Sequence, residues 1–140
     1  LSHYFDASVL VPMLIQEAAS GAVDRFVDGL PARPVVSDLA AGEVASALSR
    51  LVRMAMLTAQ DAQERLADFD AWRAGDAQPV EVINSDIEQA AIFVRSFDLG
   101  LRMPDALHLA ISQRQGFSLV TLDARMVNAG QALSVNVLKP

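Results

Sequence analysis

The stretch Arg102-Met103-Pro104-Asp105-Ala106-Leu107-His108-Leu109-Ala110-Ile111 reads as the opening of a buried helix with a carboxylate fixed in its first turn. Pro104 suits the first helical position, where a missing N–H costs nothing. Asp105 follows where free N–H groups and the helix dipole favour negative charge. Leu107, Ala110 and Ile111, flanked by Ala106 and Leu109, leave the first turns little solvent-facing surface. Gly116 is placed to end this helix, and Ser118-Leu119-Val120-Thr121-Leu122 reads as a buried strand finishing at Asp123. One helix–strand unit therefore supplies two carboxylates, both at boundaries between elements.

The same alternation extends outward in both directions. His3-Tyr4-Phe5 reads as a strand ending at Asp6, with Ser8 as the expected cap of a helix that Pro12 keeps irregular. Ala22 to Leu30 places Val23, Phe26, Val27 and Leu30 on one helical face. After the strand Val35-Val36, Ser37 or Asp38 caps a long helix to about Leu57 with the stripe Val44, Leu48, Leu51, Val52 and Ala55. Its first turns are small (Ala40, Ala41, Gly42, Ala45, Ala47), and Glu43 stands among them, an unusual place for a charge. Thr58 with Asp61 resembles a capping pair for a helix from Ala59 to Ala74 carrying Leu66, Phe69 and Trp72. Val80-Glu81-Val82-Ile83 is the next expected strand. Ser85 with Glu88 then reads as a capping box for a helix that turns Ile87, Ala91, Val94 and Phe97 inward and ends at Gly100. A short helix from Ala124 to Gln131 and a strand from Val135 to Leu138 close the chain. Short apolar strands separated by long helices predict an α/β fold, with a mostly parallel twisted sheet of four or five strands and helices on both faces.

Composition bounds the rest. Residues 1–140 suit a single domain, and a 52% hydrophobic content supports a full core. With no cysteine there is no disulfide, no thiolate nucleophile and no thiolate metal site, which fits a reducing cytoplasm. The longest apolar run, Val9 to Ile15, is far below the ~20 residues of a membrane span, and no basic segment precedes it as in a signal peptide. The chain opens on Leu1 rather than Met, so its true start is open to processing, trimming or reassignment. The net charge of −6, with Lys139 the only lysine, is awkward for binding a polyanion. Such a partner requires a local basic rim, or metal ions that reverse the sign of the site.

In open parallel sheets ligands bind at the carboxyl ends of the strands. Asp6 and Asp123 each end a strand, while Glu43 and Asp105 sit in first turns of helices at that same edge. Two carboxylates about 4 Å apart repel by roughly 4 kcal/mol at an effective dielectric of 20. Four on one rim stay ionised only if something cancels the charge, and an all-oxygen set without cysteine suits Mg²⁺ or Mn²⁺.

Tyr4-Phe5-Asp6-Ala7-Ser8, Glu43-Val44-Ala45-Ser46-Ala47-Leu48, Pro104-Asp105-Ala106-Leu107-His108-Leu109-Ala110 and Leu119-Val120-Thr121-Leu122-Asp123 resemble the PIN-domain ribonucleases, and most closely the VapC-type toxins of toxin–antitoxin pairs. The resemblance spans essentially the whole chain, and Pro-Asp-Ala-Leu-His-Leu-Ala is its most specific part. It implies a PIN-like three-layer α/β/α fold with the His3–Phe5 strand at the centre. It also implies a metal-dependent endoribonuclease, with Asp6, Glu43, Asp105 and Asp123 as catalytic and metal-site residues. The implied partners are an RNA substrate, a second copy of the chain and a small antitoxin protein, whose arginine would neutralise the carboxylates in place of metal.

Each acid also has a simpler reading as a helix cap or dipole partner; their joint placement shifts the balance. Ser8 and Thr121 are read as hydrogen bonders beside the acids, and His108 as a packed or hydrogen-bonded histidine outside the metal shell. His3 reads as inert, Phe69 and Trp72 as core or dimer-interface residues, and Asp38, Glu17 and Asp86 as weaker candidates for the rim. Met54, Met56, Leu57 and Trp72 exceed the apolar surface one sheet face needs, which again predicts a homodimer. Two alternatives remain at this stage. A phosphatase of the haloacid-dehalogenase type wants a second Asp at position 8, where Ser8 stands; a catalytically silent binding module would be favoured by loss of an acid, and all four are present.

Overall fold

Five short strands pair in parallel, in the order β3-β2-β1-β4-β5, in a computed structural model that describes residues 2–140. They are β1 (His3–Phe5), β2 (Val35–Ser37), β3 (Gln78–Val80), β4 (Ser118–Val120) and β5 (Val137–Leu138). The helices are α1 (Ala7–Leu14), α2 (Ser20–Asp28), α3 (Asp38–Arg53), α4 (Ala59–Asp76), α5 (Asn84–Val94), α6 (Met103–Gln115) and α7 (Ala124–Leu133). β1 lies at the centre, as the resemblance implies, so the residue after it opens onto the middle of one sheet edge.

Alternation along the strands decides the layers. Tyr4 stands opposite Val35 and Leu119 in register, and these three face a core completed by Ala90, Phe93, Leu109, Ile111 and Met126. Phe5, Val36 and Val120 face the other way, against Val9, Leu10, Val44, Leu48 and Phe69. A one-residue slip of any strand would exchange the two cores, so burial holds the register. The result is three layers, with α5–α7 on one face and α1–α4 on the other. Gly130 permits the close seat of β5 on α7, since a Cβ there would collide with the Val137 side chain. Among the described residues no helix is long and apolar enough to cross a membrane.

Several boundaries differ from the sequence reading. α3 stops at Arg53, and Ala55, expected in its stripe, adopts a left-handed φ of 56° in the turn to α4. β3 is Gln78–Val80 rather than Val80–Ile83; as an edge strand it tolerates Pro79, which lacks the N–H a central strand would need. α5 buries Asp86, Ala90 and Phe93, leaving Ile87 47% and Phe97 84% exposed, so its inward face is rotated from the one expected. The cause is electrostatic: Asp86 is drawn inward to Arg114, and its carboxylate, rather than a Ser85–Glu88 box, accepts the Ile83 N–H at 2.9 Å. Gly100, at a φ of 63°, closes a separate short turn (Phe97–Leu99) beyond α5. In α6 Met103 takes the first helical position and Pro104 the second, and Gly116 ends the helix at a φ of 69°.

Candidate functional site

Asp6 leaves the central strand and caps α1, the role expected of Ser8. Its Oδ1 accepts the Ser8 N–H at 3.0 Å and the Ser8 hydroxyl at 2.5 Å, while Oδ2 takes no hydrogen bond from any described residue. Asp6 is only 7% exposed. Burial pushes its carboxyl above the usual range; the Ser8 and Thr121 hydroxyls and His108 pull it back, and Glu43 pushes it further up. The net shift is upward. The Ser8 hydroxyl donates to Asp6 and lies 3.2 Å from the Thr121 hydroxyl. Ser8 Oγ also accepts the Leu122 N–H at 2.8 Å, and Thr121 Oγ1 accepts the Asp123 N–H at 3.1 Å. This hydroxyl pair ties the end of β1 to the end of β4.

Glu43, one turn into α3, reaches across to Nε2 of His108 on α6. The other ring nitrogen, Nδ1, lies 2.7 Å from the Tyr4 hydroxyl, which lies 2.7 Å from Ser37 Oγ. Ser37 Oγ in turn accepts the Ala40 N–H at 3.1 Å as the cap of α3. Burial drives the Tyr4 hydroxyl far above its ordinary value, so it stays protonated at any physiological pH. If Tyr4 donates to Nδ1, a neutral ring carries its proton on Nε2; if Tyr4 donates to Ser37, the ring must carry both protons. Either way an N–H points at Glu43.

Asp105 and Asp123 form the outer lip. Asp105 Oδ2 accepts the Arg102 N–H at 3.3 Å and lies 3.6 Å from Arg102 Nε. Asp123 caps α7, accepting the Arg125 N–H at 2.9 Å, and its Oδ2 meets the Arg125 guanidinium at 3.1 Å. Burial alone would raise the Asp123 carboxyl, but hydrogen bonds from Arg125, helped by the charge of Arg102, hold it below the usual range. Asp105 likewise helps to hold the Arg125 proton.

The four acids thus occupy one sheet edge, but their charges are not left bare. Among the described residues, Glu43 faces an imidazole, Asp105 and Asp123 face arginines, and Asp6 alone of the four has no contacting cation. In this arrangement no three His, Asp or Glu side chains among the described residues are grouped to hold one ion. Asp86 is not part of the rim. It pairs with Arg114 at 2.7 Å, about 13 Å along α6 from Asp105. Asp38 is bound to Arg73 on the surface, and Phe69, stacked on Trp72 with centroids 6.0 Å apart, belongs to the core. The sequence reading offered Ser37 as a cap of α3, which it is, but not as a neighbour of Tyr4, and it gave no site role to Tyr4, Arg102 or Arg125. Only the arginines had a signal, standing three residues before Asp105 and two after Asp123.

A family model described as PIN domain matches residues 3–131, and the chain belongs to that family. Among its relatives is Ribonuclease VapC45 of Mycobacterium tuberculosis (strain CDC 1551 / Oshkosh), 35% identical over 108 residues, or 76% of this chain and 72% of that protein. The fold is similar to the crystal structure of VapC20 from Mycobacterium tuberculosis, described as a sarcin-ricin loop cleaving toxin. The TM-score is 0.76 at 19% identity, over 92% of this chain and 95% of that one. It is similar also to VapBC2 from Rickettsia felis bound to a DNA fragment from their promoter, at a TM-score of 0.71 and 7% identity, over 100% of this chain and 99% of that one.

Proposed function

We propose that this chain is a metal-dependent endoribonuclease, the toxin of a VapBC-type toxin–antitoxin pair. The observation that carries the reading is Asp6: a buried carboxylate at the middle of the strand-end edge of a PIN domain, with one oxygen unused and no cation beside it among the described residues. A fold tolerates such a group at a cost, and a cation-binding role explains why it is there. The 35% identical ribonuclease VapC45 supports the activity, and the likeness to VapBC2 supports an antitoxin partner.

Asp6, Glu43, Asp105 and Asp123 would hold the ion. Hard oxygen donors without thiolate suit Mg²⁺ or Mn²⁺. Bound there, such an ion supplies charge for the phosphoryl oxygens and acidifies a water for attack on the phosphodiester. The chain's own residues do the rest. Ser8 fixes the rotamer of Asp6 and leaves Oδ2 open; Thr121 carries that constraint to Asp123; His108 steers Glu43 towards the edge. Arg102 and Arg125 hold the outer carboxylates and would have to yield them, so loading should exchange arginine contacts for metal contacts.

Antitoxin binding over this edge would place an arginine among the same carboxylates and inhibit by substituting charge. Met54 and Met56, 53% and 67% exposed at the turn from α3 to α4, are with Leu57 and Trp72 among the apolar side chains expected to pair two copies, and sedimentation at tens of micromolar checks it. The working compartment would be the cytoplasm. The deciding experiment compares wild type with Asp105→Asn on total RNA in Mg²⁺, in EDTA, and on a small phosphomonoester. Cleavage of RNA alone, dependent on metal and lost in the variant, is expected. EDTA-resistant cleavage, or full activity in Asp105→Asn, would sink the reading.

A further inference from the structure

The acidic edge opens sideways into a cleft of about 430 Å³ between α1 and α3, whose walls include Ser8, Glu43, Ser46, Arg50, Arg53 and Arg102. Its chemistry is unlike that of the chain as a whole. The protein carries a net charge of −6, yet this one cleft gathers three of its eleven basic residues beside a site carboxylate. Glu43, Ser46, Arg50 and Arg53 recur at helical spacing, so they share one face of α3. From Glu43 that face climbs about 10 Å to Arg50 and about 15 Å to Arg53, at ~1.5 Å per residue. Neither Arg50 nor Arg53 meets a carboxylate of the described residues. The ion pairs there engage Arg73, Arg102, Arg114 and Arg125, and the guanidinium of Arg53 contacts only the Ser49 hydroxyl, at 2.6 Å. Ala7, Ala47 and Val11 complete the lining, so the floor is shallow and there is no aromatic ring on which a base could stack.

We propose that this cleft seats the phosphate backbone of single-stranded RNA on one side of the bond to be cut, with Arg50 and Arg53 as its phosphate-binding residues. The inference rests on the ribonuclease reading and names the substrate track for that site. An acidic rim repels a polyanion, and the sequence required either a metal or a local basic edge to overcome this; the cleft supplies the second. Guanidinium groups match phosphate oxygens in bidentate geometry, and two of them in line with Glu43 extend contact beyond the reacting phosphodiester. Without aromatic or amide side chains against the bases, the contact is to backbone and tolerant of sequence. Selection of a particular RNA therefore lies elsewhere on the surface, and this cleft sets affinity and direction.

The test measures binding apart from cleavage. A fluorescein-labelled oligouridylate of about 12 nucleotides is titrated in EDTA at several salt concentrations, by anisotropy. Wild type is compared with Arg50→Gln/Arg53→Gln and with Arg25→Gln/Arg95→Gln, which removes equal charge from surfaces outside the cleft. Loss of two phosphate contacts should weaken binding roughly tenfold at low salt and flatten the log–log salt slope by about 1.4. The distant pair should leave both unchanged, and Arg50→Lys/Arg53→Lys should restore the slope. Equal losses in both Gln variants, no loss in either, or no binding by wild type would overturn the proposal. So would binding of a polyglutamate peptide, but not RNA, through Arg50 and Arg53. Cleavage is scored separately in Mg²⁺. If wild type cuts RNA and the cleft variant binds and cuts as well, only the track fails. If the arginines bind RNA and wild type never cuts, only the ribonuclease reading fails.

Discussion

Asp6 and Asp86 share a local setting: both are buried in first turns or caps, and both accept a backbone N–H at the start of a helix. Their surroundings then diverge. Asp86 receives two hydrogen bonds from the Arg114 guanidinium, at 2.7 and 2.9 Å; burial works to raise its carboxyl, and Arg114 with the Ile83 N–H brings it below the usual range. Asp6 receives the Ser8 hydroxyl in place of a cation, and burial pushes its carboxyl up. The first is a carboxylate whose charge the fold has already answered, so it serves structure. The second, on the reading proposed above, is one whose charge an ion from outside would answer. Burial and helix position are alike in these two acids; what differs between them is the presence of a partner cation.

The comparison breaks most visibly in activity. Asn at position 6 keeps the cap and the shape but not the charge, so Asp6→Asn should lower RNA cleavage at least a hundredfold, about 3 kcal/mol of barrier. Its melting temperature in metal-free buffer should rise above that of wild type, because an uncompensated buried charge is gone. Asp86→Ala should do the reverse, costing about 3 kcal/mol or more of stability by stranding Arg114 while the folded fraction cleaves normally. Urea unfolding and single-turnover cleavage read the two variants side by side, and a fall in melting temperature for Asp6→Asn would remove the distinction.

A finer version uses pH. The folded carboxyl of Asp86 lies below its ordinary value of 3.8, so its contribution is present above that value and is lost as pH falls through the folded one. Asp6 has the opposite sign: its contribution is present below 3.8 and is lost as pH rises through the raised folded value. In metal-free protein Asp86→Asn should therefore flatten the acid limb of the stability profile, and Asp6→Asn the limb above it. The smallest effect concerns the buried relay. Tyr4→Phe removes the partner of His108 Nδ1 and of Ser37 and should cost about 1–3 kcal/mol. It should lower kcat with little change in KM, since it loosens the histidine that steers Glu43, and His108→Gln should retain more activity than His108→Ala. Equal kcat in Tyr4→Phe and wild type would confine the relay to stability.

Much of this was legible in the amino-acid sequence because the signals are local. Strand periodicity, the Pro104–Asp105 helix start, the Gly116 stop and the Thr58–Asp61 cap each depend on a few neighbouring residues, and all four recur in the structure. The acids could be placed on one edge because strand ends and helix starts are themselves local features. The misplaced elements were those set by distant partners. β3 begins early because its N–H at Gln78 bonds to Pro34, and α5 turns its acid inward because Arg114 waits on another helix.

By itself, then, the sequence determined the three-layer parallel fold, the four carboxylates and their common edge, since periodicity and capping chemistry act within a turn or a strand. Only the tertiary structure decided which acid finds which partner: Glu43 with His108, Asp86 with Arg114, Tyr4 between His108 and Ser37, and Asp6 with no cation among the described residues. Those meetings span up to 104 residues of chain, as between Tyr4 and His108, and depend on how each helix is rotated against the sheet. Rotation by one residue moves a side chain by about 100° around the helix. Packing sets it, and no local pattern carries it.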